Sequence, residues 1–198
     1  MKILLAVILS ISLAACAPLS SDDASPEEIA AVAYVAGGAP KLTLITVVNN
    51  RTGSGGHTAL IVSGSQQVLF DPAGSFRHET LVERGDVFYG ITPAWISSYK
   101  SAHARSAYHV VSQTIEVTPA QAEHALQLVQ SNGAVGAAFC ANSTSSILRQ
   151  VPGFEDIDVT FFPVKLMDQI ARRPDVSTDL LYENDAGDVL DGITPIDA

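Results

Sequence analysis

Residues 137–151 read AAFCANSTSSILRQV. Cys140, Thr144, Ile147, Leu148 and Val151 recur at steps of three and four, so this stretch is predicted to be a helix with Cys140 in its first turn. Asn142, Ser143 and Thr144 set polar side chains beside the thiol, where a purely structural helix more often carries apolar or capping residues. What comes before this helix decides the fold. KLTLITVVNN (41–50), HTALIVSG (57–64), QQVLFDPAG (66–74), GDVFYGI (85–91) and AYHVVSQTIEV (107–117) are rich in β-branched and aromatic residues and read as strands. The second and third pair around SGSQ. Strands come early and the cysteine helix late, which makes the chain α+β: a small, mostly antiparallel sheet followed by helices.

The other helices are marked by their starts. Ser25 and Glu28 have capping-box spacing with Pro26 in the first helical position, and Gly37-Gly38 is the expected stop. TPAWISSYK (92–100) is a short helix capped by Thr92. Thr118 and Gln121 form a second capping box for a helix over Pro119–Gln130, which Asn132-Gly133 ends. PVKLMDQIARRP (163–174) begins and ends at prolines. From Asp175 the chain is acidic, turn-rich and without periodicity, and is expected to lie loosely on the surface. There is no internal repeat.

The amino-terminal end carries an address. MKILLAVILSISLAACAP has a basic residue, an apolar run from Ile3 to Leu13 too short to span a bilayer, and small residues leading into Cys16. Leu13-Ala14-Ala15-Cys16 resembles the lipobox of bacterial lipoproteins. That resemblance implies cleavage before Cys16 and lipidation of its amino group and sulfur; several acyl chains would hold the protein on a membrane durably. Ala17 after the cysteine favours the periplasmic face of the outer membrane. The expected organisation is a signal peptide over 1–15, a lipidated tether over 16–24, a folded domain over 25–174 and an acidic tail over 175–198.

About 180 residues remain after the signal, enough for one domain with its own core. The formal charge is −10, and no basic stripe offsets it, so nucleic acid is not the expected partner. The chain has two cysteines. With Cys16 lipidated, Cys140 is the only thiol left, in an oxidising compartment, where it is either buried and inert or kept for chemistry.

A thiol attacks carbonyl carbon as thiolate, and its free pKa of about 8.5 leaves little thiolate at neutral pH. A helix N-terminus favours the anion, and a neighbouring imidazole can take the proton and return it to the leaving group. Cys140 has the first device. His57, opening a strand after GSGG, is the candidate base, with His109 in reserve. Asp71, on the next strand, can hold the other ring nitrogen, although which face the two share depends on the register. His78, His103 and His124 read as surface or packing residues, and Phe88, Trp95 and Tyr99 as core.

The order "GHTALIV…VLFDPAG" then "TPAQAEHALQLVQ" then "FCANSTSSIL" resembles the circularly permuted papain-like superfamily, which includes permuted NlpC-like enzymes and lecithin:retinol acyltransferase-like proteins. In unpermuted members the cysteine helix comes first. Residue by residue, the resemblance implies Cys140 as nucleophile, His57 as general base and acid, and Asp71 as the orienting group. Many relatives have Asn directly before the cysteine, where this chain has Phe139. The implied activity is attack on an amide or ester through an acyl-enzyme, with peptidoglycan stem peptide or a lipid acyl group as substrate, the peptide ranked slightly higher on location alone. A non-catalytic, lipid-anchored binding module on the same fold is the alternative. No cofactor is expected. GSGG lacks the Lys-Ser/Thr of a phosphate loop, and no close ligand spacing supports a metal site.

Overall fold

A computed structural model of the chain describes residues 23–186; Cys16 and its lipobox lie outside the described residues. The elements run α1 (Pro26–Val32), β1 (Lys41–Asn49), β2 (Gly55–Ser63), β3 (Gln67–Phe70), β4 (Val82–Arg84), β5 (Val87–Tyr89), α2 (Pro93–His103), β6 (Tyr108–Glu116), α3 (Pro119–Asn132), α4 (Cys140–Gln150), α5 (Pro163–Ala171) and β7 (Ser177–Tyr182). All strand pairings are antiparallel and build one seven-stranded sheet in the order β4-β5-β3-β2-β1-β6-β7. The expected α+β class holds, with a larger sheet than the sequence implies.

Alternation along the strands sends side chains to two cores. Leu42, Leu44, Leu60, Val62, Val68 and Phe70 join Leu126, Leu148, Leu166 and Ile170 of α3, α4 and α5. On the opposite face Ile45, Ala59, Ile61 and Leu69 join Phe76, Phe88 and Tyr99, under α2. Among the described residues no helix is long and apolar enough to cross a membrane.

Thr92 and Thr118 cap α2 and α3 through side chains that accept from Trp95 N–H and Gln121 N–H, as their spacing foretells. Three expectations are corrected. The first helix ends at Val32, well before Gly37-Gly38. Asp23 and Ala24, expected to belong to the tether over 16–24, bond the sheet instead: Ala24 N–H donates to the Glu83 carbonyl and Asp23 accepts from Gly85 N–H. Residues 177–183, expected to lie loosely, are held in place: Ser177–Tyr182 pair with β6 as an edge strand, and Asp179 and Glu183 bond Lys100 and Ser101 of α2. Acidic side chains on a sheet edge complement the basic end of α2 while discouraging pairing with another chain.

Candidate active site

His57 sits beside an irregularity in β2. Val47 pairs with His57 but Val48 pairs with Gly55, so Gly56 is an extra residue bulged out of the ladder. Close packing favours both glycines: a Cβ on Gly55 would lie 2.5 Å from Pro163 Cβ, too near to fit, and one on Gly56 would lie 3.1 Å from the Tyr108 ring, a tight contact. The last two glycines of the GSGG segment thus form the entry of β2.

The register left open by the sequence is Leu60 opposite Phe70 and Ile61 opposite Leu69. It sends His57 and Asp71 to the same face, the one that carries Ala59, Ile61 and Leu69. His57 Nε2 donates to Asp71 Oδ1 at 2.6 Å. Nε2 is therefore committed, and Nδ1 is the nitrogen free to exchange a proton with another group.

That group is Cys140, a free cysteine at the first position of α4, with only 8% of its surface accessible. The helix packs on β2 from the other side, and its N-terminus reaches the sheet end where His57 lies. Burial pushes the Cys140 thiol up, but the hydrogen bond and positive charge of His57, with the backbone N–H groups of Thr58 and Ala141, bring it below the ordinary thiol value. Burial also acts against imidazolium at His57. The Asp71 charge and hydrogen bond, then the Cys140 sulfur, outweigh it and raise the ring to about 10. Asp71 is pushed up by burial and held down more strongly by His57, so it stays ionised. His57 is thus imidazolium at neutral pH, and the Cys140 thiol ionises more readily than a free one.

Two residues read as core and packing in the sequence belong to this cluster. Tyr99 donates its phenolic O–H to the same Asp71 Oδ1 at 2.5 Å. His103 donates Nδ1–H to the Tyr99 carbonyl at 2.7 Å and lies parallel to the His57 ring, centroids 5.7 Å apart at 11°. Burial drives His103 down to about 4, so it is neutral. Both lie on α2, and only the strand register brings that helix over Asp71. His109, the reserve base, is instead exposed, bonded to Asn50 and stacked on Tyr182.

Asp86 is the third residue that sequence reasoning missed. Its backbone carbonyl accepts from Asp71 N–H at 2.8 Å, and its Oδ2 accepts from Ala73 N–H at 3.1 Å and Val135 N–H at 2.9 Å. One buried carboxylate thus ties the turn after Asp71 to the loop that leads into α4. Each turn contains an alanine in the left-handed region, Ala73 at φ 56° and Ala138 at φ 69°. Such backbone costs on the order of 1 kcal/mol or more and persists where surrounding contacts impose it. Gly74 is needed for a different reason, since a Cβ there would collide with the Asp71 carboxylate.

The start of the cysteine helix carries exposed aromatic side chains. Phe139, Phe161, Phe162 and Val159 are exposed, and Phe139 meets Phe161 edge-on at 5.2 Å. Among the described residues no cluster of three or more His, Cys, Asp or Glu side chains is arranged to hold a metal ion. No family model, curated protein or solved structure matches the chain.

Proposed function

We propose that the protein is a cysteine-dependent amide or ester hydrolase or acyltransferase, built on a permuted papain-like arrangement and held at the cell envelope by a lipidated Cys16. The observation that carries this reading is the carboxylate-held imidazole, His57 bonded to Asp71 at 2.6 Å and raised chiefly by it, set close enough to the helix-start Cys140 that the thiol is lowered by the ring. A merely structural cysteine would have no reason to sit at a helix N-terminus beside a carboxylate-held histidine.

The Cys140 thiolate attacks the carbonyl carbon, and the electron pair moves to oxygen. Backbone N–H groups at the sulfur, those of Thr58 and Ala141, are the donors available to the oxyanion. As the tetrahedral species collapses, imidazolium Nδ1–H of His57 protonates the departing amine or alkoxide, leaving a thioester on Cys140. Neutral His57 then takes a proton from water or an acceptor hydroxyl, which displaces the thiolate. Asp71 fixes the ring's tautomer and stabilises its charge in both halves.

Location alone favours a peptide, but one observation favours an apolar acyl group. Phe139, the residue directly before Cys140, is exposed and meets the exposed Phe161, with Phe162 next to it in the chain. Stem peptides are polar and charged, whereas an acyl chain would bury these rings at roughly 25 cal/mol per Å² of apolar surface removed from water.

The test is an acyl-enzyme trap. The full chain is exposed to activated esters of a long fatty acid, a short fatty acid and an amino acid, and the mass of the intact protein is read. A stable or transient acyl adduct on Cys140, fastest with the long chain and missing in Cys140→Ser and His57→Ala, is the expected result. Equal adduct formation in His57→Ala would overturn the catalytic reading, and a preference for the aminoacyl ester would return the choice to peptide.

A further inference from the structure

Asp71 Oδ1 receives two hydrogen bonds while its Oδ2, equally buried, has no protein donor. A carboxylate in solution spreads its acceptors over both oxygens, so this crowding on one atom requires an outside constraint. Four observations identify it. Tyr99 is 1% exposed and its O–H donates to Oδ1 at 2.5 Å, the same oxygen that holds His57. The Tyr99 carbonyl is held by His103 Nδ1–H, and the Tyr99 and His103 rings lie 4.3 Å apart, centroid to centroid. The His103 ring is parallel to that of His57. Gly74 closes the opposite side, where no Cβ fits against the carboxylate.

We propose that Tyr99 is a positioning residue for the base, locking the Asp71 carboxylate so that one oxygen stays in the plane and reach of His57 Nε2, while His103 serves as an uncharged wall against which the His57 ring stacks. Without the phenol the carboxylate can turn about its terminal bond and present either oxygen, or neither, to the imidazole. With it, the rotation is blocked by a hydrogen bond on one side and the Gly74 backbone on the other. The phenol remains a donor because burial and the Asp71 charge raise it well above its ordinary value. The charged and titratable groups facing the cluster are His57 from β2, Asp71 after β3, Glu83 from β4, Tyr99 and His103 from α2, Arg105 after α2, and Cys140 from α4. Of these only Tyr99 and His57 bond the carboxylate directly.

This inference rests on the proposed catalytic role of Cys140, and its test separates the two. The rate of Cys140 alkylation by iodoacetamide, in which the sulfur displaces iodide, is measured across pH for the full chain and for His57→Ala, Tyr99→Phe, Asp71→Asn, the double variant Asp71→Asn/Tyr99→Phe and Phe76→Leu. Phe76 packs on the Tyr99 ring at 5.1 Å and makes no polar contact with it, so its truncation reports packing alone. Tyr99→Phe is expected to move the acid limb of the pH profile up by about one unit, slowing alkylation on that limb by about tenfold, since the thiolate is less well held. In the Asp71→Asn background the same change adds nothing, because Tyr99 acts through that carboxylate. Phe76→Leu lowers the melting temperature and leaves the profile in place. A Tyr99→Phe profile that superimposes on the unmodified protein, a Phe76→Leu profile that shifts as far as that of Tyr99→Phe, or an additive loss in the double variant would overturn the positioning role. A His57→Ala profile identical to that of the unmodified protein would instead overturn the catalytic reading itself.

Discussion

Cys140, His57 and Asp71 are three ionisable groups in a place where single charges are expensive, and each is stable only because of the others. A buried thiolate or imidazolium alone would revert to its neutral form. Side by side, and with Asp71 behind, the charged forms are favoured. The same logic makes neighbouring residues with no ionisable role indispensable. Gly74→Ala drives a methyl group into the Asp71 carboxylate. It is expected to destabilise the protein by about 2 kcal/mol or more and to abolish low-pH reactivity of Cys140, read by denaturant melts and thiol labelling. Asp86→Ala leaves the N–H groups of Ala73 and Val135 without their acceptor. A loss of about 2 kcal/mol or more, with slower labelling of Cys140, is expected from separation of the two turns that Asp86 joins. An unchanged labelling rate would show that the turns hold their places without it.

At the scale of elements, the sequence announces what is local and stays silent on what is not. Thr92, Thr118 and Ser25 mark helix starts because a cap acts within one turn, and the periodicity of Cys140 to Val151 shows the cysteine helix directly. His57, Asp71 and Cys140 were legible as candidates from residue type and order. Their shared face was not, because a ladder one residue out of step would send His57 or Asp71 to the opposite side of the sheet. Tyr99 and His103 carry no signal of their own, since an aromatic and a histidine on a helix over a sheet are ordinary core. β4 is three residues long and β7 lies in an acidic stretch, so neither shows the alternation that marks a half-buried strand. β7 depends on its partner: its ladder to β6 and its bonds to Lys100 and Ser101 hold it. Removing residues 176–198 exposes the edge of β6 and is expected to lower the melting temperature by about 5 °C or more and to promote association, read by calorimetry and light scattering. An unaltered melt would mean that the strand only decorates the edge.

Across the whole molecule the sheet separates two chemical environments and the site lies where they meet. One face supplies α4, the other the His57–Asp71–Tyr99–His103 cluster, and the bulge at Gly56 lies directly before His57. This layout sets how stability responds to pH. His103 has an ordinary value of 6.5 and is held down to about 4, so below 6.5 the unfolded chain binds a proton that the folded one refuses. Stability therefore falls as pH drops from 6.5 toward 4, by on the order of 3 kcal/mol from this group. His57 and Cys140 shift in opposite directions. As pH rises, the raised imidazole removes stability and the lowered thiol adds it, so the two act against one another. Melting temperature should decline as pH drops below 6.5, with a shallower decline in His103→Phe. A variant curve as steep as the original would show that His103 is not the buried neutral base described.

The thiolate itself is open to direct observation through its ultraviolet absorbance, with Cys140→Ser as the blank. On titration of the intact protein, the signal is expected to persist well below pH 8 and to move up toward the ordinary thiol range in His57→Ala. A thiolate that appears only above that range in the unmodified protein, or that titrates identically without the imidazole, would contradict the account.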